Sequence, residues 1–315
     1  MAESECNISV VIPTKNGGDL FREVLSGIRS QVFDGEIEVL VIDSGSTDHT
    51  LTLAKEYGAE VSTIEPGTFN HGLTRNLGIE RATGEFVVLI TQDAVPGDAY
   101  LLRNLVKAFS DPMVAGAYAR QVPRDDADVL TKRNLNGWLT GRTVSDTRSI
   151  TDKDHYLTMS PFEQYMFCNF DNVCSAVRKT AWQDVPFNRC DFGEDIDWSK
   201  RILEAGWKIS YQPESHVIHS HSRPISYEYK RTYMCHRKLY ELFKLCTVPS
   251  MKYMMRSFLF SLKADFKYAI DHETKILNLV LLLMRIPFLS LASAYGQFRG
   301  AQDERLHRGV TLGGV

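Results

Sequence analysis

Asp93, the adjacent acids Glu194 and Asp195, and the histidines of His216–Val217–Ile218–His219–Ser220–His221 are the side chains of this sequence best suited to chemistry. Asp93 closes a stretch in which the apolar run Phe86 to Ile90 lies between Gly84–Glu85 and Gln92–Asp93, the pattern of a buried parallel strand. Open α/β sheets bind ligands beyond the carboxyl ends of their strands, so Asp93 stands where a charged ligand or a metal is handled. A turn before Pro96, or a cap for the segment near Asp98, would use the same residue structurally. Glu194 and Asp195 open a helical pattern over 193–205. An acid pair there stabilises the helix dipole by about 0.3–1 kcal/mol, and a carboxylate at the same point also serves as a general base. His219 and His221 are two apart and share one face of a strand, where imidazoles either ligate divalent metals or end the strand in polar groups.

The elements that must position these groups show in the alternation of short apolar runs with helical patterns. Strands are predicted over 8–12, 37–42, 60–64, 86–90 and 114–120, with helices near 18–31, 47–57, 74–81 and 100–109. Such alternation predicts a parallel sheet with right-handed crossovers. Residues 122–161 lose the pattern, are rich in Asp, Arg, Asn and Thr, and are expected to form a mobile or ligand-ordered loop region. A strand is predicted at 172–177, and short strands at 208–212 and 216–219 follow the helix that carries the acid pair. Beyond Pro224 three helices are expected, over 227–245, 250–270 and 276–294. The last is strongly apolar but contains Asn278, Arg285 and Pro287. A spanning helix takes roughly 20 apolar residues with few charges, so an in-plane or partly buried helix is expected here.

Three further polar segments fall at the same edge of the inferred sheet. Pro13–Thr14–Lys15–Asn16 follows the first strand, and Asp43–Ser44–Gly45–Ser46–Thr47–Asp48 follows the second, offering backbone NH groups at a helix start. Phe69–Asn70–His71–Gly72–Leu73–Thr74–Arg75–Asn76 precedes the fourth. Singly, each is an ordinary strand-end loop or helix cap.

Composition narrows the class. The 315 residues are 43% hydrophobic and 24% charged, enough for one large α/β domain with an appendage, or for two domains. Cys6, Cys168, Cys174, Cys190, Cys235 and Cys246 form neither a CxxC pair nor a zinc-finger spacing, so a reduced, cytoplasmic protein is expected. MAESECNISVVIP has no basic n-region and no long h-region, so a signal peptide is not expected. The net charge of −3 is unevenly spread: from Arg223 onward 15 Lys/Arg face 7 Asp/Glu, a surplus of eight positive charges, which leaves the remainder at −11. A basic tail on an acidic body suits a polyanionic partner. Lys252, Arg256, Lys263 and Lys267 are interleaved with Tyr, Phe and Met, which suits binding in a membrane interface, and the same stripes suit a helical dimerisation surface. Nucleic acid is not an expected partner, because the body is acidic and the tail lacks a nucleic-acid-binding motif.

Taken together and in order, these segments resemble glycosyltransferase family 2, whose members have the GT-A fold. The matching pieces are Val10–Val11–Ile12–Pro13–Thr14–Lys15–Asn16, Val41–Ile42–Asp43–Ser44–Gly45–Ser46–Thr47–Asp48, Arg75–Asn76–Leu77–Gly78 through Ala82–Thr83–Gly84–Glu85, Thr91–Gln92–Asp93–Ala94, and Gly193–Glu194–Asp195–Ile196–Asp197–Trp198. They cover roughly residues 7–220, and the segments around His71, Arg75 and Asp93 look like the bacterial L-rhamnosyltransferase branch. The resemblance implies an α/β fold with a mixed, mostly parallel, Rossmann-like sheet flanked by helices and an all-helical C-terminal extension. It implies a transferase domain over 1–222, divided into a nucleotide-sugar half (1–121) and an acceptor half (122–222), and a helical extension over 223–315 for membrane association, dimerisation or both.

The activity implied is inverting transfer of L-rhamnose from dTDP-L-rhamnose to a polyprenyl-diphosphate-linked glycan at the inner face of the cell membrane. In that scheme Asp195 is the base and Glu194 its neighbour that exchanges roles with it or orients the acceptor. Pro13, Thr14, Asn16, Asp43, Ser44, His71, Arg75 and Gln92 form the nucleotide-sugar site, with Asp43 reading the pyrimidine, Gln92 near the ribose or base, and Arg75 reaching the nucleotide or its phosphates. His71 orders the donor loop or is a turn residue beside Gly72. Asp93 binds Mg²⁺ or Mn²⁺, together with His219 or, as the less favoured choice, His221. Family members often carry a DxD sequence here, whereas this chain has Thr91–Gln92–Asp93. One carboxylate plus phosphate and water oxygens suffices for Mg²⁺, so the cation is expected to arrive with the nucleotide. The alternatives are another nucleotide-sugar donor, a nucleotidyltransferase, for which Asn16–Gly17–Gly18–Asp19 is a poor phosphate loop, and a catalytically inactive sugar-nucleotide-binding membrane scaffold.

Overall fold

The computed structural model describes residues 7–221 and 224–309; Cys6 and the expected boundary between residues 222 and 223 lie outside the described residues. The chain divides into two compact units, one comprising Met1–Arg124, Leu135–Tyr156 and Cys168–His219, the other Asp125–Asn134, Leu157–Phe167 and Ser220–Val315.

The first unit opens with β1 (Ile8–Thr14), α1 (Gly18–Arg29), β2 (Ile37–Asp43), α2 (Thr50–Glu56), β3 (Glu60–Thr63), α3 (His71–Arg81) and β4 (Phe86–Ile90). It continues through β5 (Val95–Pro96), α4 (Leu101–Val106) and β6 (Val114–Val122). The stretch expected as loop instead folds into α5 (Val129–Asn136), β7 (Asp146–Arg148), α6 (Lys153–Thr158) and α7 (Pro161–Phe167). These elements are short, and their stability comes from tertiary contacts that leave little trace in periodicity. Arg148 on β7, for example, donates to the Tyr118 hydroxyl and the Asn169 carbonyl.

After β8 (Cys174–Arg178) and α8 (Lys179–Asp184) come α9 (Glu194–Glu204) and β9 (Lys208–Ile218). β9 is one strand where two were expected; its ladder with β6 shifts register between Gln212 and His216, which is why the hydrophobic pattern breaks there.

The sheet order is β3-β2-β1-β4-β8-β6-β9-β5, with β7 on β9. β1, β2, β3 and β4 pair in parallel, β8 runs antiparallel to both β4 and β6, and β6 and β9 are parallel. Val10, Ile12, Val88 and Ile90 pack against Val24, Leu25 and Ile28 of α1 and Leu101 and Leu105 of α4. Tyr118, Phe170, Phe187 and Trp198 form a separate aromatic cluster. Because β8 is reversed, the carboxyl ends of β4 and β6 lie beside the start of β8, where Ile90 is paired with Cys174.

The second unit contains α10 (Ile225–Phe243), α11 (Met251–His272) and α12 (Ile276–Arg305). α12 runs well past its expected end, with Pro287 inside it. Among the described residues it is the one helix long and apolar enough to cross a membrane by length and composition. Ala269, Leu282, Ile286 and Leu130 make a small core, and Phe260, Ile276, Leu277 and Met284 are exposed.

Candidate active site

Each expected group sits at an end of the sheet for a local reason. Asn70 caps α3: its Oδ1 accepts from the Leu73 N–H (3.2 Å) and the Cys190 N–H (3.0 Å), tying this helix to the segment that leads into α9. A Cβ on Gly72 would lie 1.9 Å from the Asn188 carbonyl oxygen, so only glycine lets α3 approach that segment. The first turn of α3 thereby delivers His71 and Arg75 to the start of α9, whose preceding residue, Gly193, has the left-handed φ of 72°.

Arg75 and Glu194 form an ion pair of 3.1 Å, with side chains only 5% and 6% exposed. Arg75 also donates to the His71 carbonyl at 3.1 Å, and its buried Nε has no partner. Glu194 feels two opposed influences. Burial pushes its carboxyl up, but Arg75, His71 and the amide of Asn172 together hold it below the ordinary carboxylate range. The half-buried Asp195 goes the other way: burial, then the charges of Glu194 and Asp171, raise it well above that range. Burial, and to a lesser degree the charge of Arg75, lowers His71 against the opposing pull of Glu194. Two neighbouring carboxylates pushed apart in this way are suited to different roles, one fixed as an anion and one available to take a proton.

Asn172, 2% exposed, organises the pair. Its Nδ2 donates to Glu194 Oε1 at 3.1 Å, its backbone N–H to Asp195 Oδ2 at 3.4 Å, and its Oδ1 accepts from Ser175. Asp171 sits beside it, with burial pushing its carboxyl up to about 6. Neither residue was singled out from the sequence. The available signal was the acid–amide pair just before a buried strand, but only a reversed strand puts its start at this edge.

The strand-end segments expected to hold the nucleotide sugar are locked to one another. Asp43 accepts from the Thr14 hydroxyl (3.1 Å), the Gly45 and Ser46 N–H groups (2.9 Å each) and the Ser46 hydroxyl, so both its oxygens anchor the loop that begins with it. Ser44 donates its hydroxyl to the Thr14 carbonyl, and the exposed Asn16 accepts from the Thr47 N–H. Gln92 clamps the Lys15 backbone, accepting from its N–H at 2.8 Å and donating to its carbonyl at 3.1 Å. Pro13, within β1, is half-buried beside them.

Asp93 and His219 meet through two ladders. Val95 of β5 and Val122 of β6 both pair with Ile218, so the turn from β4 into β5 runs beside the end of β9. Asp93 Oδ1 lies 3.6 Å from His219 Nε2, and Arg124 holds the Asp93 carbonyl at 3.0 Å. One carboxylate oxygen and one imidazole nitrogen at this spacing form a donor pair suited to a hard or borderline divalent cation. His221 is half-buried and belongs to the second unit.

A family model for glycosyl transferase family 2 matches residues 9–181, more than half of the chain. The chain belongs to glycosyl transferase family 2. Among curated relatives of this family, the O-antigen chain rhamnosyltransferase RfbN of Salmonella typhimurium is 30% identical over 228 residues, 71% of this chain and 69% of that protein. In fold the chain resembles S. aureus TarS 1–349 in complex with UDP, with a TM-score of 0.53 and 17% identity over 96% of this chain and 91% of that one. It also resembles glucosyl-3-phosphoglycerate synthase from Mycobacterium tuberculosis, solved with Mn²⁺ and UDP, with a TM-score of 0.53 and 19% identity over 78% of this chain and 81% of that one. The mixed sheet flanked by helices is the GT-A arrangement expected from the motifs. As a family 2 member the chain is a glycosyltransferase.

Proposed function

We propose that this glycosyltransferase moves L-rhamnose from dTDP-L-rhamnose, with inversion, to a hydroxyl of a polyprenyl-diphosphate-linked glycan during surface polysaccharide synthesis. The observation that carries the reading is the convergence of Arg75, Glu194, Asp195 and Asn172 on one site, in a chain 30% identical to an O-antigen chain rhamnosyltransferase. In this reading Asp195 takes the acceptor hydroxyl's proton as that oxygen attacks the anomeric carbon and the bond to the nucleoside diphosphate breaks. Its raised proton affinity matches that task. Glu194 stays ionised against Arg75 and fixes the guanidinium, whose unpartnered Nε suits a phosphate oxygen of the donor. Asp93 and His219 would hold Mg²⁺ or Mn²⁺, which when bound supplies positive charge to the leaving diphosphate. In this reading the loop network of Thr14, Asn16, Asp43, Ser44 and Gln92 forms the floor on which the nucleotide lies, with Pro13 beside it, and His71 stands next to Arg75.

The second unit is assigned to the membrane surface. Its exposed Phe260, Ile276 and Leu277, with Lys252, Arg256, Lys263 and Lys267 also exposed on α11, suit an anionic bilayer. The enzyme then works at the cytoplasmic face, peripherally bound, with a second copy of the chain as the competing occupant of that apolar surface.

The test is a donor screen with Mg²⁺ and lipid-linked acceptor. dTDP-rhamnose should be consumed with release of dTDP. Preference for another nucleotide sugar would overturn the donor assignment, and release of pyrophosphate would overturn the reaction class. Flotation with anionic vesicles, alongside sedimentation of the free protein, separates membrane binding from dimerisation.

A further inference from the structure

The two ring nitrogens of His219 face different groups. Nε2 faces Asp93 Oδ1 at 3.6 Å, and Nδ1 lies 2.9 Å from Gln121 Oε1. Gln121 is buried at 6% exposure, and its amide nitrogen donates to Asp171 Oδ2 at 2.6 Å. The other oxygen of Asp171 accepts the Val173 N–H at 2.8 Å. A carboxylate that accepts on both oxygens admits only the NH₂ end of an amide. The carbonyl end of Gln121 is therefore the end turned to His219. A carbonyl oxygen accepts and never donates, so Nδ1 must carry the proton, and in the neutral ring the lone pair lies on Nε2.

We propose that Gln121 and Asp171 are positioning residues that preset His219 as the Nδ1–H tautomer, presenting the Nε2 lone pair to a divalent cation shared with Asp93. The inference rests on the reading of Asp93 and His219 as cation ligands, and adds how one of them is prepared before the cation arrives. Backbone pairing supports the arrangement. Gln121 and His219 are carried on β6 and at the end of β9, where the His219 N–H bonds the Val122 carbonyl at 2.9 Å. Asp171 is the chain neighbour of Asn172, which holds Glu194 and Asp195, so one dipeptide at the start of β8 sets both the cation side and the proton-accepting side of the site.

The tautomer is readable without metal, from the ¹⁵N shifts of His219 in histidine-labelled protein followed across pH so that the neutral ring is seen. The wild type should show Nδ1–H. Gln121→Met removes the acceptor. Asp171→Asn keeps the volume but lets the Gln121 amide turn over, so that its NH₂ faces Nδ1 and the proton moves to Nε2. Both variants should lose the Nδ1–H signature and bind Mn²⁺, titrated in the presence of dTDP, about 10- to 100-fold more weakly. A wild-type ring protonated at Nε2, or variants that keep both the signature and the Mn²⁺ affinity, would overturn the proposal. His219→Ala tests the underlying reading separately. Unchanged Mn²⁺ affinity there removes His219 as a ligand, and the proposal falls with it, whatever the tautomer.

Discussion

The two units treat charge and apolar surface in opposite ways. The sheet unit buries Arg75 and Glu194 at 5% and 6% exposure, enclosing charge where every partner must be supplied by the protein. The helical unit leaves Phe260 and Ile276 at 77% and 80% exposure, surface that water does not favour. Buried charge is stable only if fixed in geometry, and fixed charge is what a transfer reaction requires. Exposed apolar surface flanked by lysines asks instead for an external partner. On the proposed reading, chemistry belongs to one unit and attachment to the other.

Four outcomes would break or sharpen that contrast, in descending order of expected effect. Asp195→Asn should cut turnover by about 10²–10⁴-fold with the melting temperature nearly unchanged, as expected for loss of a general base; near-normal transfer would move the chemistry away from α9. Arg75→Met strands the buried Glu194, and chemical denaturation should report a loss of about 3–5 kcal/mol. A cost near zero would mean that this charge is not enclosed after all. Replacing exposed Phe260 by Ser should weaken binding to anionic vesicles by about 1.5–3 kcal/mol if the ring enters the bilayer, with transfer to a soluble acceptor unaffected. Equal vesicle binding would leave attachment to some other surface.

The smallest effect is on pH dependence. A base works only when ionised, and burial with the charges of Glu194 and Asp171 raises the proton affinity of Asp195. Activity should therefore fall as pH drops, by about tenfold per unit once Asp195 is protonated, starting above the ordinary carboxylate range. Asp171→Asn removes one of the neighbouring charges and should move this acid limb to lower pH. A limb that stays in place would exclude Asp195 as its source.

Much of the site was legible before the fold. Asp93 was placed by the rule that ligands collect beyond strand carboxyl ends, and Arg75, Glu194 and Asp195 by their motif order. Asp171, Asn172 and Gln121 escaped for one reason each. The first two precede β8, and a strand's start reaches this edge only because β8 runs antiparallel between β4 and β6. Gln121 lies one residue beyond the strand expected to end at Arg120, and its significance depends on a histidine 98 residues away. The contacts of Asp43 and Gln92 also emerged only in three dimensions, where both hold loops to one another.

By itself, the sequence determined which residues could do chemistry, the α/β alternation, and the charge asymmetry between body and tail, because these depend on residue type and local periodicity. Tertiary structure alone decided the reversal of β8, the continuity of β9 across its register shift, the order hidden in residues 122–161, and the polarity of the Asp171–Gln121–His219 chain. Those features arise from partners far apart in the chain, and hydrogen-bond direction is set by which groups meet, not by which groups adjoin.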